Sequence, residues 1–194
     1  MAFGGETTIL FVPGLRDHVE DHWQTHAARA IHGAVTVAPL AADRISRAGQ
    51  VAALDAALRA LSGEVLIVAH SAGCLTTVHW ALAPTRTIRA ALLVAPADIE
   101  TPLPAGYPEP AALKEDGWLP IPRKPLPFPA LVVASRNDPL ATFDRVVGFA
   151  DAWGAALHDA GDVGHLNPAA GYGPWSGLSG LLDQLDDHAR STAL

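Results

Sequence analysis

Residues 65–75 read Val65-Leu66-Ile67-Val68-Ala69-His70-Ser71-Ala72-Gly73-Cys74-Leu75. The apolar, β-prone run from Val65 to Ala69 fits a strand buried on both faces of a parallel sheet. From Ala72 the period changes, with Leu75, Val78 and Leu82 at helical spacing until Pro84 ends the run. Ser71 therefore stands where a strand turns directly into a helix. A sharp turn there lifts Oγ clear of the sheet and above the first N–H groups of the helix, which lack intrahelical acceptors and can stabilise an oxyanion. The usual elbow is Gly-x-Ser-x-Gly, and here it is Ala69-His70-Ser71-Ala72-Gly73, with one extra methyl group at its first position. The same residues are also compatible with a plain serine N-cap at a βα junction.

The surroundings narrow the choice. A chain of 194 residues that is 49% hydrophobic can bury one substantial core, so residues 1–194 are expected to form a single α/β domain. The formal net charge of −7 and the scattered basic residues argue against a nucleic-acid partner. One cysteine, Cys74, rules out an internal disulfide and suits a reducing compartment; its place in the helix after Ser71 makes it a small buried hydrophobe. No run approaches the ~20 apolar residues of a membrane span, and no basic segment precedes the first apolar run. A cytoplasmic protein is expected.

Further strands are predicted at Thr8 to Val12, Ala34 to Ala38, Ile88 to Val94, Ala130 to Ala134 and Ala155 to His158. Between them fall a helix with Trp23, Ala27, Ala30 and Ile31 on one face and Gly33 at C′, and a helix marked by Val51, Leu54, Leu58 and Leu61, ending near Gly63. A third carries Phe143, Val146, Val147 and Ala150, and a last one runs from about Trp175 to His188. Strands alternating with helices imply a parallel sheet with right-handed crossovers and helices on both faces. Residues 96–129 interrupt the rhythm, because ten of the sixteen prolines fall there. Such a segment is at most briefly helical, around Pro110 to Glu115, and at the carboxyl edge of a parallel sheet it flanks the active site. Tyr107, Trp118 and Phe128 are candidates for its apolar wall, although packing onto the sheet is the commoner job for any one such residue.

Asp138 follows the fifth strand and His165 the sixth, so both emerge on the same edge as Ser71. Asp138 before Pro139 also suits a helix N-cap, and His165 alone is one loop histidine among nine. Taken together, however, serine, aspartate and histidine stand in the order that α/β-hydrolases use, on successive strand ends. His165 would take the Ser71 proton, Asp138 would orient the ring, and the N–H groups of Ala72 and Leu15 would receive the oxyanion. No cofactor is expected, since neither a dinucleotide fingerprint nor a P-loop occurs. His18, His22 and His26, spaced by four beside Asp17 and Asp21, could form a chelating stripe if the first helix began early, but no metal is expected.

The chain resembles the small serine hydrolases grouped with retinoblastoma-binding protein nine and its bacterial YdeN-like relatives. The likeness rests on Phe11-Val12-Pro13-Gly14, His22-Trp23-Gln24, His70-Ser71-Ala72-Gly73, Pro96-Ala97-Asp98, Ser135-Arg136-Asn137-Asp138-Pro139, Trp153-Gly154 and Gly164-His165-Leu166-Asn167. It implies a three-layer α/β-hydrolase fold with a mainly parallel six-stranded sheet, no amino-terminal hairpin and no separate cap domain. It also implies a triad on Ser71, Asp138 and His165. In a sheet ordered 2-1-3-4-5-6 the loop carrying Asp138 neighbours that of His165, which favours Asp138 over its competitor Asp98. Asp98 is expected instead to brace the start of the proline-rich segment. The expected substrates are small carboxyl esters or amides, with no nucleic-acid or membrane partner; the alternative from another class is a protein-interaction module with a vestigial site.

Overall fold

The structure, a computed structural model, describes residues 7–15 and 19–192. Six strands lie in one sheet: β1 (Thr7–Val12), β2 (Val35–Thr36), β3 (Glu64–His70), β4 (Ala90–Val94), β5 (Ala130–Ala134) and β6 (Ala156–Asp159). Their order is β2-β1-β3-β4-β5-β6 and every neighbouring pair is parallel. The central strands are continuous apolar runs because both faces are covered. Leu10, Ile67, Ala69, Leu93 and Val132 point to one face, which packs on α2 (Arg47–Ala60), α3 (Ala72–Trp80) and α5 (Phe143–Trp153). Phe11, Leu66, Val68, Leu92 and Val133 point to the other, against Trp23 of α1 (Trp23–Ala30) and the leucines of α6 (Leu178–Thr192). This three-layer arrangement is that of the α/β-hydrolases.

Several boundaries differ from the sequence reading, each for a local reason. β2 is two residues long, since only Leu10 and Phe11 of β1 pair with it and the edge has no further neighbour. β4 begins at Ala90, where pairing with β3 starts. α1 ends with Ile31 as C-cap, so Gly33, with φ +75°, turns the chain two residues later instead of occupying C′. α6 begins at Leu178, because Trp175 is turned onto Trp23, ring centroids 5.0 Å apart, before the helix starts. Asp138 caps no helix: α5 has Thr142 as its N-cap, and an Asp138 oxygen accepts from the Leu140 N–H at 2.8 Å.

The proline-rich segment forms one short helix, α4 (Pro110–Glu115), and is held by side chains more than by backbone ladders. Trp118 donates its indole N–H to the Ile45 carbonyl at 2.7 Å and accepts on its own carbonyl from His79 Nε2–H at 3.1 Å. Glu100 binds Arg123 of the same segment and Arg145 of α5. Phe128 packs inward, its buried ring stacked on Trp80.

Candidate active site

Ser71 occupies the turn between β3 and α3 with φ 55° and ψ −123°. A non-glycine residue in that region costs about 1–3 kcal/mol, so the surroundings must enforce it. They do so by close approach. A Cβ on Gly73 would fall 2.3 Å from the Val12 carbonyl oxygen, so only glycine lets α3 start this near the end of β1. Gly14 is similarly pressed, its hypothetical Cβ 3.2 Å from Ser71 Cβ. The extra methyl of Ala69 is absorbed in the core on the α3 face, fully buried.

The Ser71 hydroxyl donates to His165 Nε2 at 2.9 Å, and His165 Nδ1–H donates to both Asp138 oxygens, at 2.8 and 3.0 Å. Asp138 and the His165 ring are both nearly sealed from solvent. The structure thus brings together the three residues singled out from the sequence. It does not bring Asp98 to the ring. Asp98 receives a bidentate Arg145 guanidinium at 2.8 and 2.9 Å, the Glu100 N–H and the Thr101 hydroxyl.

The loop that carries His165 is fastened from three sides. Asn137 Oδ1 accepts the Gly164 N–H at 2.6 Å, and the Arg136 N–H reaches the Gly161 carbonyl at 2.8 Å. Trp23 donates its indole N–H to the Leu166 carbonyl, and His70 Nε2–H donates to the carbonyl of His165 itself, both at 2.9 Å. Gln24 extends the clamp by donating to the carbonyls of Val12 and Val68, at the carboxyl ends of β1 and β3. These positioning roles were not assigned from the sequence. The pattern His22-Trp23-Gln24 singled out the residues but could not show that Trp23 reaches Leu166, Gln24 reaches Val12 and Val68, and His22 packs on His70.

His22, His70 and His165 form a row, with centroid spacings of 4.7 and 4.9 Å. His22 is the N-cap of α1, its Nδ1 accepting from the Gln24 N–H, which leaves the proton on Nε2. Burial, and then the nearness of His165, bring His22 down to about 4. His70 lies well below the ordinary histidine range, mainly through burial and then through His165 and His22. Both rings are therefore neutral at pH 7. Burial pushes the Cys74 thiol well up, and its S–H faces the Val94 carbonyl, which makes it inert.

Ala72 is the first residue of α3, so its N–H has no intrahelical acceptor and opens beside Ser71. Leu15 borders the space around the hydroxyl as well. Two cavities flank Ser71 and share Leu15, Ser71 and Tyr107. The larger, about 160 Å³, is bordered by His22, His70, His165 and Asn167. The smaller, about 40 Å³, is walled by Leu75, Ile99, Leu103, Leu113, Trp118 and Leu140 beneath the proline-rich segment.

The histidine stripe considered for a metal is not assembled among the described residues. His18 and Asp17 lie outside them, His22 caps α1, and His26 pairs with Asp21 at 2.9 Å. No group of three or more metal-ligating side chains occurs among the described residues, and no described helix is long and apolar enough to cross a membrane.

A family model described as serine hydrolase matches residues 9–184. No curated protein is significantly similar in sequence. Among solved structures, a YdeN-like hydrolase from Pectobacterium atrosepticum is 31% identical, covering 95% of this chain and 91% of its own, with a TM-score of 0.76. The ydeN gene product of B. subtilis is 15% identical, covers 93% and 98%, and has a TM-score of 0.68. An α/β-superfamily hydrolase from Oenococcus oeni is 11% identical, covers 97% and 94%, and has a TM-score of 0.65. The last two likenesses are of fold.

Proposed function

This chain belongs to the serine hydrolase family, and from that premise we propose that Ser71 is its nucleophile, His165 its general base and Asp138 the acid that orients the histidine. The substrates are small carboxyl esters or amides, and the reaction passes through an acyl-enzyme. The observation that carries this reading is the unbroken hydrogen-bond chain from Asp138 through His165 to a serine held at a strained strand-to-helix turn. As Ser71 Oγ attacks the carbonyl carbon, its proton passes to His165 Nε2. The imidazolium so formed is stabilised by Asp138 through Nδ1–H. Charge developing on the carbonyl oxygen is met by the N–H groups of Ala72 and Leu15. His165 then returns its proton to the leaving group and activates water for deacylation.

The chain acts in this reading as one catalytic domain, with residues 96–129 flanking the site; the lining of the smaller cavity by Leu103, Tyr107 and Trp118 supports that placement. Ser71→Ala tests the proposal. Turnover of p-nitrophenyl acetate is expected to fall by about 10⁴ or more with an unchanged circular dichroism spectrum. Residual activity within tenfold of wild type would remove Ser71 from the mechanism.

A further inference from the structure

Resting on Ser71 as the nucleophile, we propose that the small cavity is the acyl site and the large one the leaving-group site. The substrates are then esters of short aliphatic acids, about three to four carbons long, with a ring-sized alcohol.

The assignment follows from where the proton must go. His165 has to protonate the departing oxygen, so the leaving group lies on the side of the histidine ring. His165 borders the large cavity and not the small one, whereas Ala72 borders the small one and not the large one. With the carbonyl oxygen directed at Ala72 and Leu15 and the leaving group toward His165, the acyl chain is left with the space under the proline-rich segment. The size of that space sets the chain length. A water-sized group needs roughly 10–15 Å³ of such volume, so about 40 Å³ seats about three heavy atoms beyond the carbonyl. The leaving-group chamber, at about 160 Å³, is on the scale of a cavity that holds one benzene ring, ~150 Å³.

Chemistry separates aliphatic acyl groups from aminoacyl groups. Among the described residues no carboxylate lines the small cavity, and the nearest candidate in sequence, Asp98, has its oxygens on Arg145, Glu100 and Thr101. An α-ammonium placed there would lose its hydration without gaining a counter-ion. Leu103 is half-buried, lines the cavity from the segment that roofs it and packs against the core cluster, so a change in its size changes the room for the acyl chain while the melting temperature reports any cost to packing.

The test is a p-nitrophenyl ester series from acetate to octanoate, run on wild type, Leu103→Ala and Leu103→Phe, with melting temperatures as the folding control. For wild type, kcat/KM is expected to peak at propanoate or butanoate and to fall about tenfold or more by octanoate. Leu103→Ala should move the optimum to longer chains and Leu103→Phe to acetate. Butanoate ethyl ester should exceed 2-aminobutanoate ethyl ester by at least tenfold. Phenyl against methyl butanoate should be discriminated equally by wild type and both Leu103 variants, whereas His22→Asn, which keeps an acceptor for the α1 cap, should change that ratio and leave the acyl profile unmoved. A flat acyl profile in an enzyme with Ser71-dependent turnover, or Leu103 variants that alter only leaving-group preference, would overturn the two-chamber assignment alone. Absence of Ser71-dependent turnover on every ester would instead bring down the function proposed above.

Discussion

Asp98 and Asp138 stand at the carboxyl ends of neighbouring strands, β4 and β5, and both carboxylates are almost wholly buried. They differ in what they face. Asp98 is paired with Arg145, a cation at every accessible pH, through two charge-assisted bonds that also tie the first turn of the proline-rich segment to α5. Asp138 faces an imidazole whose other nitrogen receives a serine hydroxyl. The first carboxylate has a satisfied partner at rest. In the proposed mechanism the second gains its full partner only when His165 accepts a proton, so its charge would act on a reaction and not only on a fold. Burial and strand position do not separate the two roles; the chemistry of the partner does.

That contrast breaks most visibly in the rate. Asp138→Asn keeps the shape and removes the charge, and kcat is expected to fall by about 10³ to 10⁴ with the melting temperature little changed. An Asp98→Asn effect of that size, with Asp138→Asn near wild type, would reverse the assignment. Asn137→Ala should act next most strongly on turnover. It frees the Gly164 N–H and loosens the His165 loop, so kcat should drop about ten- to a hundredfold while KM stays put. An unchanged kcat would show that the remaining fastenings by Trp23 and His70 suffice. Asp98→Asn should instead appear in stability, by about 1–3 kcal/mol in denaturant unfolding, because it removes the charge from the more buried of the two carboxylates, Asp98 and Glu100, that hold Arg145. Its kcat should remain within about threefold of wild type.

The smallest expected effect is a pH dependence of stability from the histidine row. His22 titrates at about 4 in the folded protein against 6.5 for an unperturbed histidine, so the unfolded chain binds more protons between those values. The stability this group contributes is complete above pH 6.5 and is lost as the pH falls toward 4, and His70 shifts in the same direction. Denaturation midpoints measured between pH 7 and 4.5 should therefore fall with pH, less steeply in His22→Asn than in wild type. Equal slopes would mean that His22 is not held neutral by its surroundings.

The features legible in the sequence are those written in local pattern. The run Val65 to Ala69 had to be a doubly covered strand, Gly73 had to follow Ser71 closely, and the prolines of residues 96–129 had to forbid a strand. The order of serine, aspartate and histidine along strand ends was likewise readable, because a parallel sheet sends all such ends to one edge. What escaped the reading depends on partners distant in the chain. Nothing near Asp98 in sequence shows that Arg145 will reach it, 47 positions later. The N-cap of α1 is a histidine, outside the usual capping residues, so its start could not be read from capping rules. The row of His22, His70 and His165 draws on three separate elements, and the partner of Phe128, the Trp80 ring of α3, could not be read because an aromatic residue suits a cavity wall or inward packing alike.

The central claim, that Ser71 is a nucleophile activated through His165, is tested most directly by treating the protein with a fluorophosphonate and locating the adduct by peptide mass spectrometry. The expected result is one phosphonyl group on Ser71, with labelling abolished in Ser71→Ala and slowed by several orders of magnitude in His165→Ala, both variants folded. A folded wild type that stays unlabelled, or an adduct on another residue that persists in Ser71→Ala, would contradict it.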